Sequence, residues 1–277
     1  MVSRQVVESS AAQGLTIVAA AVLAFAIAIS PTPALAVVDC STAPSPTADA
    51  DGDGFSDFVE CNGITLPLAL GGATFPRCTF AAGEDRRSCI DPNSKDVFLI
   101  VVRAPSSLLP SDLSTLFGGF SGLPVTVHFI TLTAAPTSRT VLPPQNAILL
   151  SESRDTNGDT AGQCNWGTPN EAAVCVIFTQ RIVNAVNNAY ATCQPSPPAG
   201  TIQSIITTYF QQVAAHEPSH SMKLTKIYDS RYGGHHYKTA SGTMMAQSNS
   251  FSCKGSTVIW NIGTAYTDAD RGDFLLK

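Results

Sequence analysis

The residue types that could do chemistry concentrate in positions 216–245, HEPSHSMKLTKIYDSRYGGHHYKTASGTMM. The stretch opens with an HExxH pattern, His216 and His220 four apart with Glu217 between them. A helix advances about 3.6 residues per turn, so residues four apart stand above one another on one face. Two imidazoles in that relation can share one zinc ion, and the carboxylate one step round the helix can take a proton from a water polarised at the metal. The chain has five histidines, and His216, His220, His235 and His236 fall within 21 positions, leaving His128 elsewhere. Such clustering favours a metal site over scattered core histidines. A catalytic zinc needs a third protein ligand and an open position. GGHHY at 233–237 offers His235 and His236 on a segment made adaptable by Gly233 and Gly234. Adjacent residues in extended chain point to opposite sides, so one of the two is expected to bind.

A second constellation lies at 49–60, DADGDGFSDFVE. It fits the twelve-residue calcium loop of EF-hands: Asp49, Asp51 and Asp53 as carboxylate ligands, Gly54 at the sharp turn, Phe55 through its carbonyl, then Asp57 and Glu60. Hard oxygen donors at that spacing wrap one Ca2+. DTNGDT at 155–160 begins similarly with Asp155, Asn157 and Asp159, but lacks the glycine at position six and the closing glutamate; it is read as a plain turn.

HExxH, a later histidine and then SGTMM (241–245) resemble the metzincin superfamily of zinc endopeptidases, in which a methionine-containing turn lies beneath the metal. More narrowly, the stretch is similar to a group of secreted microbial zinc-protease-like proteins with HExxH, GGxHY and GT-x-M elements, over about 216–247. That resemblance implies a third zinc ligand at His236, with His235 as the alternative, Met245 as the turn methionine and a protein or peptide substrate. Tyr237, beside the ligand, would assist the oxyanion or add a metal ligand if its oxygen faces the metal, and otherwise packs. The acidic loop, preceded by a proline-rich stretch, resembles the single calcium loops of thrombospondin type 3 repeats.

Two departures qualify the resemblance. The longer metzincin helix pattern HExxHxxGxxH has Lys223 and Lys226 here at its glycine and third-histidine positions. Pro218 sits inside HExxH, where a mid-helix proline removes the bond to the carbonyl of residue 214, costs about 3 kcal/mol and pushes Glu217 away from helical dihedrals. Zinc binding, on the order of 10 kcal/mol in favourable sites, can offset that.

Several elements must position these groups. DVFLIVVRA (96–104), PVTVHFITLT (124–133) and NAILLSE (146–152) are β-branched and aromatic runs between turn residues, and are expected to be strands. AAVCVIFTQRIVNAVNNAYATC is expected to be helical, with Val176, Ile177, Ile182, Val183, Val186 and Ala189 on its apolar face. TIQSIITTYFQQVAAHEPSHSMKL is a second helix, with Ile202, Ile205, Ile206, Phe210 and Val213 leading into the histidines. Nothing after 246 is strongly patterned. The expected fold is α+β: a metzincin-like domain with a small twisted sheet, an active-site helix, and an irregular C-terminal part carrying the third ligand and the Met-turn.

Residues 15–29 form an apolar run of signal-peptide length, shorter than the roughly 20 residues that span a bilayer, and ALA at 34–36 offers a cleavage site after Ala36. The organisation read from this is 1–36 signal peptide, 37–61 linker and calcium loop, 62–95 cysteine-rich lead-in and 96–277 catalytic domain. All eight cysteines lie beyond position 36 and none forms a CxxC pair. Disulfides in an exported protein are therefore expected, with Cys40–Cys61 and Cys78–Cys89 as local pairs. A net charge of −5 without a basic run gives no reason for nucleic-acid binding, and no membrane association is expected once the signal is removed. The function expected is a secreted zinc endopeptidase using Zn2+, with Ca2+ in the N-terminal loop. A second class fits the same residues: a calcium-stabilised extracellular binding or surface protein whose zinc site is structural or vestigial.

Overall fold

The structure, a computed structural model, describes residues 37–42, 44–103, 105–111, 120, 125–143, 145–158, 160–165, 174–221, 250–254 and 257–261. These belong to one compact unit, Leu35–Lys277. The expected signal peptide lies outside the described residues. In chain order the elements are α1 (Asp57–Asn62), β1 (Ile64–Thr65), β2 (Thr74–Phe75), β3 (Asp96–Val102), β4 (Thr126–Leu132), β5 (Thr140–Leu142), β6 (Gln145–Asn146), β7 (Ile148–Ser153), β8 (Gly162–Asn165), β9 (Val174–Phe178), α2 (Thr179–Ala191), α3 (Ala199–Ser221), β10 (Ser250–Lys254) and β11 (Thr257–Asn261).

The fold is α+β, built on a five-stranded sheet in the order β4-β3-β7-β9-β8. The first four strands run parallel and β8 closes the edge antiparallel to β9. Central parallel strands are buried on both faces and read as continuous apolar runs, as DVFLIVV does. Along β3 the side chains alternate. Val97, Leu99 and Val101 join a core shared with Ile182, Val186 and Tyr190 of α2 and with Ile205, Ile206, Phe210 and Val213 of α3. Phe98 and Ile100 turn to the other face, where Phe55, Ile64, Leu66, Leu70, Phe75 and Ile90 cover them. The cysteine-rich lead-in, though without a sustained period, is thus the layer that shields the sheet's second face. Its buried apolar residues lie in two- and three-residue elements and turns, too short for a sustained period to show.

Two expectations are corrected and one strand is added. The segment expected to be one helix from Ala172 begins as strand β9: Cys175 and Ile177 are buried while Val174, Val176 and Phe178 are half-buried, a period of two. Val176 and Ile177 fit either period, and pairing with β7 and β8 decides. Strand β8 had no sequence signal of its own. It is short and contains glycine, and it exists by pairing with β9, where Cys164 stands opposite Cys175 and is disulfide-bonded to it. The C-terminal part is not wholly irregular, since β10 and β11 form an antiparallel hairpin.

All eight cysteines are paired. Cys40–Cys61 and Cys78–Cys89 join near neighbours, as proximity suggested, and Cys193–Cys253 ties the hairpin to the end of α2. Among the described residues no helix is long and apolar enough to cross a membrane.

Candidate metal centres

Helix α3 carries HExxH in its last two turns. The buried residues Ile206, Phe210, Val213 and Ala214 follow helical spacing and pin this helix against the sheet. The same face continues into His216, Glu217 and His220, all buried. The helix runs through Pro218 to Ser221 and Glu217 keeps helical conformation, in contrast to the expected push away from helical dihedrals. The proline lies in the final turn, so its missing N–H costs one backbone bond near a helix end rather than two turns of helix. Ser219 Oγ donates to the Ala215 carbonyl at 2.6 Å in the same turn.

The His216 and His220 rings meet edge to face, centroids 4.6 Å apart, with their Nε2 atoms 2.9 Å from each other. Two imidazole nitrogens converging on one point are the donor pair that zinc takes from a helix. Glu217 points toward the edge strand: a Cβ added to Gly162 would stand 2.6 Å from Glu217 Cγ and Oε1 and 2.6 Å from Val213 Cγ1. Only glycine fits there. Burial pushes the Glu217 carboxyl up to about 8, opposed by a hydrogen bond from the Cys164 backbone N–H. His235, His236, Tyr237 and Met245 lie outside the described residues.

The acidic loop forms a second centre. Gly54 adopts φ 98°, as a sharp turn at position six requires, and Phe55 buries its ring against Phe98 with centroids 5.8 Å apart. One carboxylate oxygen each from Asp49, Asp51 and Asp53 lies within 4.8 Å of the others, as does one each from Asp53, Glu60 and Asp96. That span is about twice a calcium–oxygen bond. Asp57 belongs to neither group: it opens α1, and its Oδ1 accepts the Ala50 N–H at 2.8 Å, closing the loop on itself.

Glu60 is fully buried, and both its carboxylate oxygens are without a hydrogen-bond partner, as is Asp51 Oδ2. Burial, reinforced by the neighbouring acids, pushes Glu60 up to about 10 and Asp51 to about 8. Burial also raises Asp53 to about 7, against the backbone N–H groups of Asp96 and Phe55 that hold its charged form. Carboxylates buried together without cations are costly, and all-oxygen donors of this charge suit a hard divalent ion.

No family model matches the chain, and no curated protein matches it.

The role of the remaining candidates follows from their partners. Asp155 accepts the Asn157 N–H at 2.8 Å and pairs with Arg181 Nη2 at 2.7 Å, the arrangement of a turn pinned to α2. Asp159 lies outside the described residues. His128 is wholly buried, with Nε2 2.8 Å from Asp96 Oδ1 and Nδ1 2.8 Å from the Arg87 carbonyl. Sequence reading passed over Asp96 and Gly162. An acid as the first residue of a buried strand was the available signal for Asp96; Gly162 had none, because its constraint comes from a helix some fifty residues away in sequence.

Proposed function

We propose that this protein is a zinc-dependent endopeptidase of an oxidising, extracellular compartment, stabilised by calcium at its acidic loop. The observation that carries the reading is the convergence of His216 Nε2 and His220 Nε2, 2.9 Å apart on a buried helix end with Glu217 beside them. The donor set fits zinc: two neutral imidazoles, with His236 (or His235) as the third ligand that the resemblance implies. Zinc held there supplies Lewis acidity toward a carbonyl oxygen and acidifies water. Glu217 takes the proton of the attacking water on its carboxylate and returns it to the leaving amine. The tight fit of Gly162 against Glu217 holds that carboxylate in place, and the Cys164 N–H favours its charged form. Four disulfides support the compartment. The substrate class, protein or peptide, rests on the resemblance of residues 216–247 to metzincin-like proteases.

The second reading, a binding protein with a structural zinc site, is favoured by the burial of Glu217, 7% exposed. Zinc content and cleavage of unfolded protein, measured side by side on the wild type and Glu217→Ala, separate the two. Zinc in both with cleavage only in the wild type is the expected result. Zinc in both with cleavage in neither supports the structural site, and zinc in neither overturns both.

A further inference from the structure

The acidic loop does not stand apart from the sheet. Lys95 donates through Nζ to the carbonyls of Asp51 and Gly52, the latter at 3.0 Å, and the Asp96 N–H donates to Asp53 Oδ2 at 2.6 Å. The first residue of β3 is therefore bonded to the third acid of the loop. Its side chain continues the relation: an Asp96 oxygen lies within 4.8 Å of ligand atoms from Asp53 and Glu60, all three residues being buried. Glu60, with neither oxygen hydrogen-bonded, is aimed into this group. Asp96 is braced from behind, Oδ1 by His128 Nε2 at 2.8 Å and Oδ2 by the Asp91 N–H at 3.1 Å. Each carboxylate oxygen has two lone pairs, so both braces leave acceptor capacity for a cation.

We propose that the calcium site is composite: Asp49, Asp51, Asp53 and Glu60 from the loop are completed by Asp96 from β3, a ligand outside the twelve-residue motif. Asp57, turned onto Ala50, closes the loop instead of supplying a principal carboxylate. The inference rests on the calcium reading above and is independent of zinc. Its consequence is mechanical. An ion held by both segments clamps the layer of residues 49–90 onto the sheet face formed by Phe98 and Ile100, so calcium stabilises the whole domain and not an N-terminal spacer alone.

The test is calorimetric titration of Ca2+ into the calcium-stripped full-length protein, as wild type, Asp96→Asn and Asp57→Asn, with hydrogen exchange of the wild type with and without Ca2+. The composite site predicts affinity about tenfold or more weaker for Asp96→Asn and within about threefold of wild type for Asp57→Asn, since charge count sets loop affinity and Asn keeps the oxygen that Ala50 needs. It also predicts that Ca2+ slows exchange along 96–102 as well as 49–60. Wild-type affinity in Asp96→Asn overturns the composite site while leaving calcium binding intact. A wild type that binds no Ca2+ overturns both. Should Asp96→Asn fail to fold, as judged by circular dichroism, the wild-type exchange decides: slowing confined to 49–60 overturns the proposal.

Discussion

Gly162 on the edge strand and Glu217 on the last turns of α3 are packed so closely that a methyl group on the former would stand 2.6 Å from the side chain of the latter. The absence of a side chain at position 162 is thus what seats the proposed base. Gly162→Ala is expected to lower stability by about 1–3 kcal/mol through overpacking and to reduce peptide cleavage by about tenfold or more, while zinc content is retained. Thermal unfolding, metal analysis and turnover on one preparation check this; unchanged turnover would remove Gly162 from the site.

His128 and Asp96 form a wholly buried pair between β4 and β3. Replacing His128 by Leu leaves Asp96 Oδ1 without that hydrogen-bond partner, and a buried acceptor so stripped costs about 1–3 kcal/mol. The loss should be seen in urea unfolding of the calcium-stripped protein. Zinc content should be unaffected, because the pair lies on the face of the sheet away from α3.

Calcium removal should make stability pH-dependent. In the cation-free protein the folded-state values of Asp53, Asp51 and Glu60 rise to about 7, 8 and 10, mainly by burial. Unfolded carboxylates titrate near about 4. Between these limits the folded protein binds more protons than the unfolded chain, so stability falls as pH rises. The melting temperature of the stripped protein should drop by about 5 °C or more from pH 5 to pH 8. Saturating calcium should abolish the drop by replacing the protons.

Cys193–Cys253 closes the longest loop among the four disulfides, with a separation of 60 residues. In the loop-entropy picture its removal costs about 4 kcal/mol. Cys193→Ser with Cys253→Ser should lose about that much in denaturant unfolding and loosen the β10–β11 hairpin first, as read by hydrogen exchange, because the bridge joins that hairpin to α2.

Much of the fold was legible where one period dominates. The strand runs beginning at Asp96, Thr126 and Ile148 and the helix entering HExxH repeat their apolar residues at spacings that only one kind of element buries. Where a run serves two periods, as at Val174–Phe178, local pattern is mute and the neighbouring strands choose. The proline was misjudged for a related reason. Its cost depends on where the helix ends, and the end is set by what α3 packs against.

By itself the sequence determined the chemistry on offer: imidazoles four residues apart with a carboxylate between them, acids at alternate positions before a glycine, and cysteines in even number. These are local properties, set by spacing along the chain. Tertiary structure alone decided which carboxylates meet. Asp96 joins Asp53 and Glu60, and Gly162 confines Glu217, because strand pairing and sheet burial bring together residues 36 to 55 positions apart. No local spacing encodes such meetings; they follow from the free energy of covering both faces of one sheet.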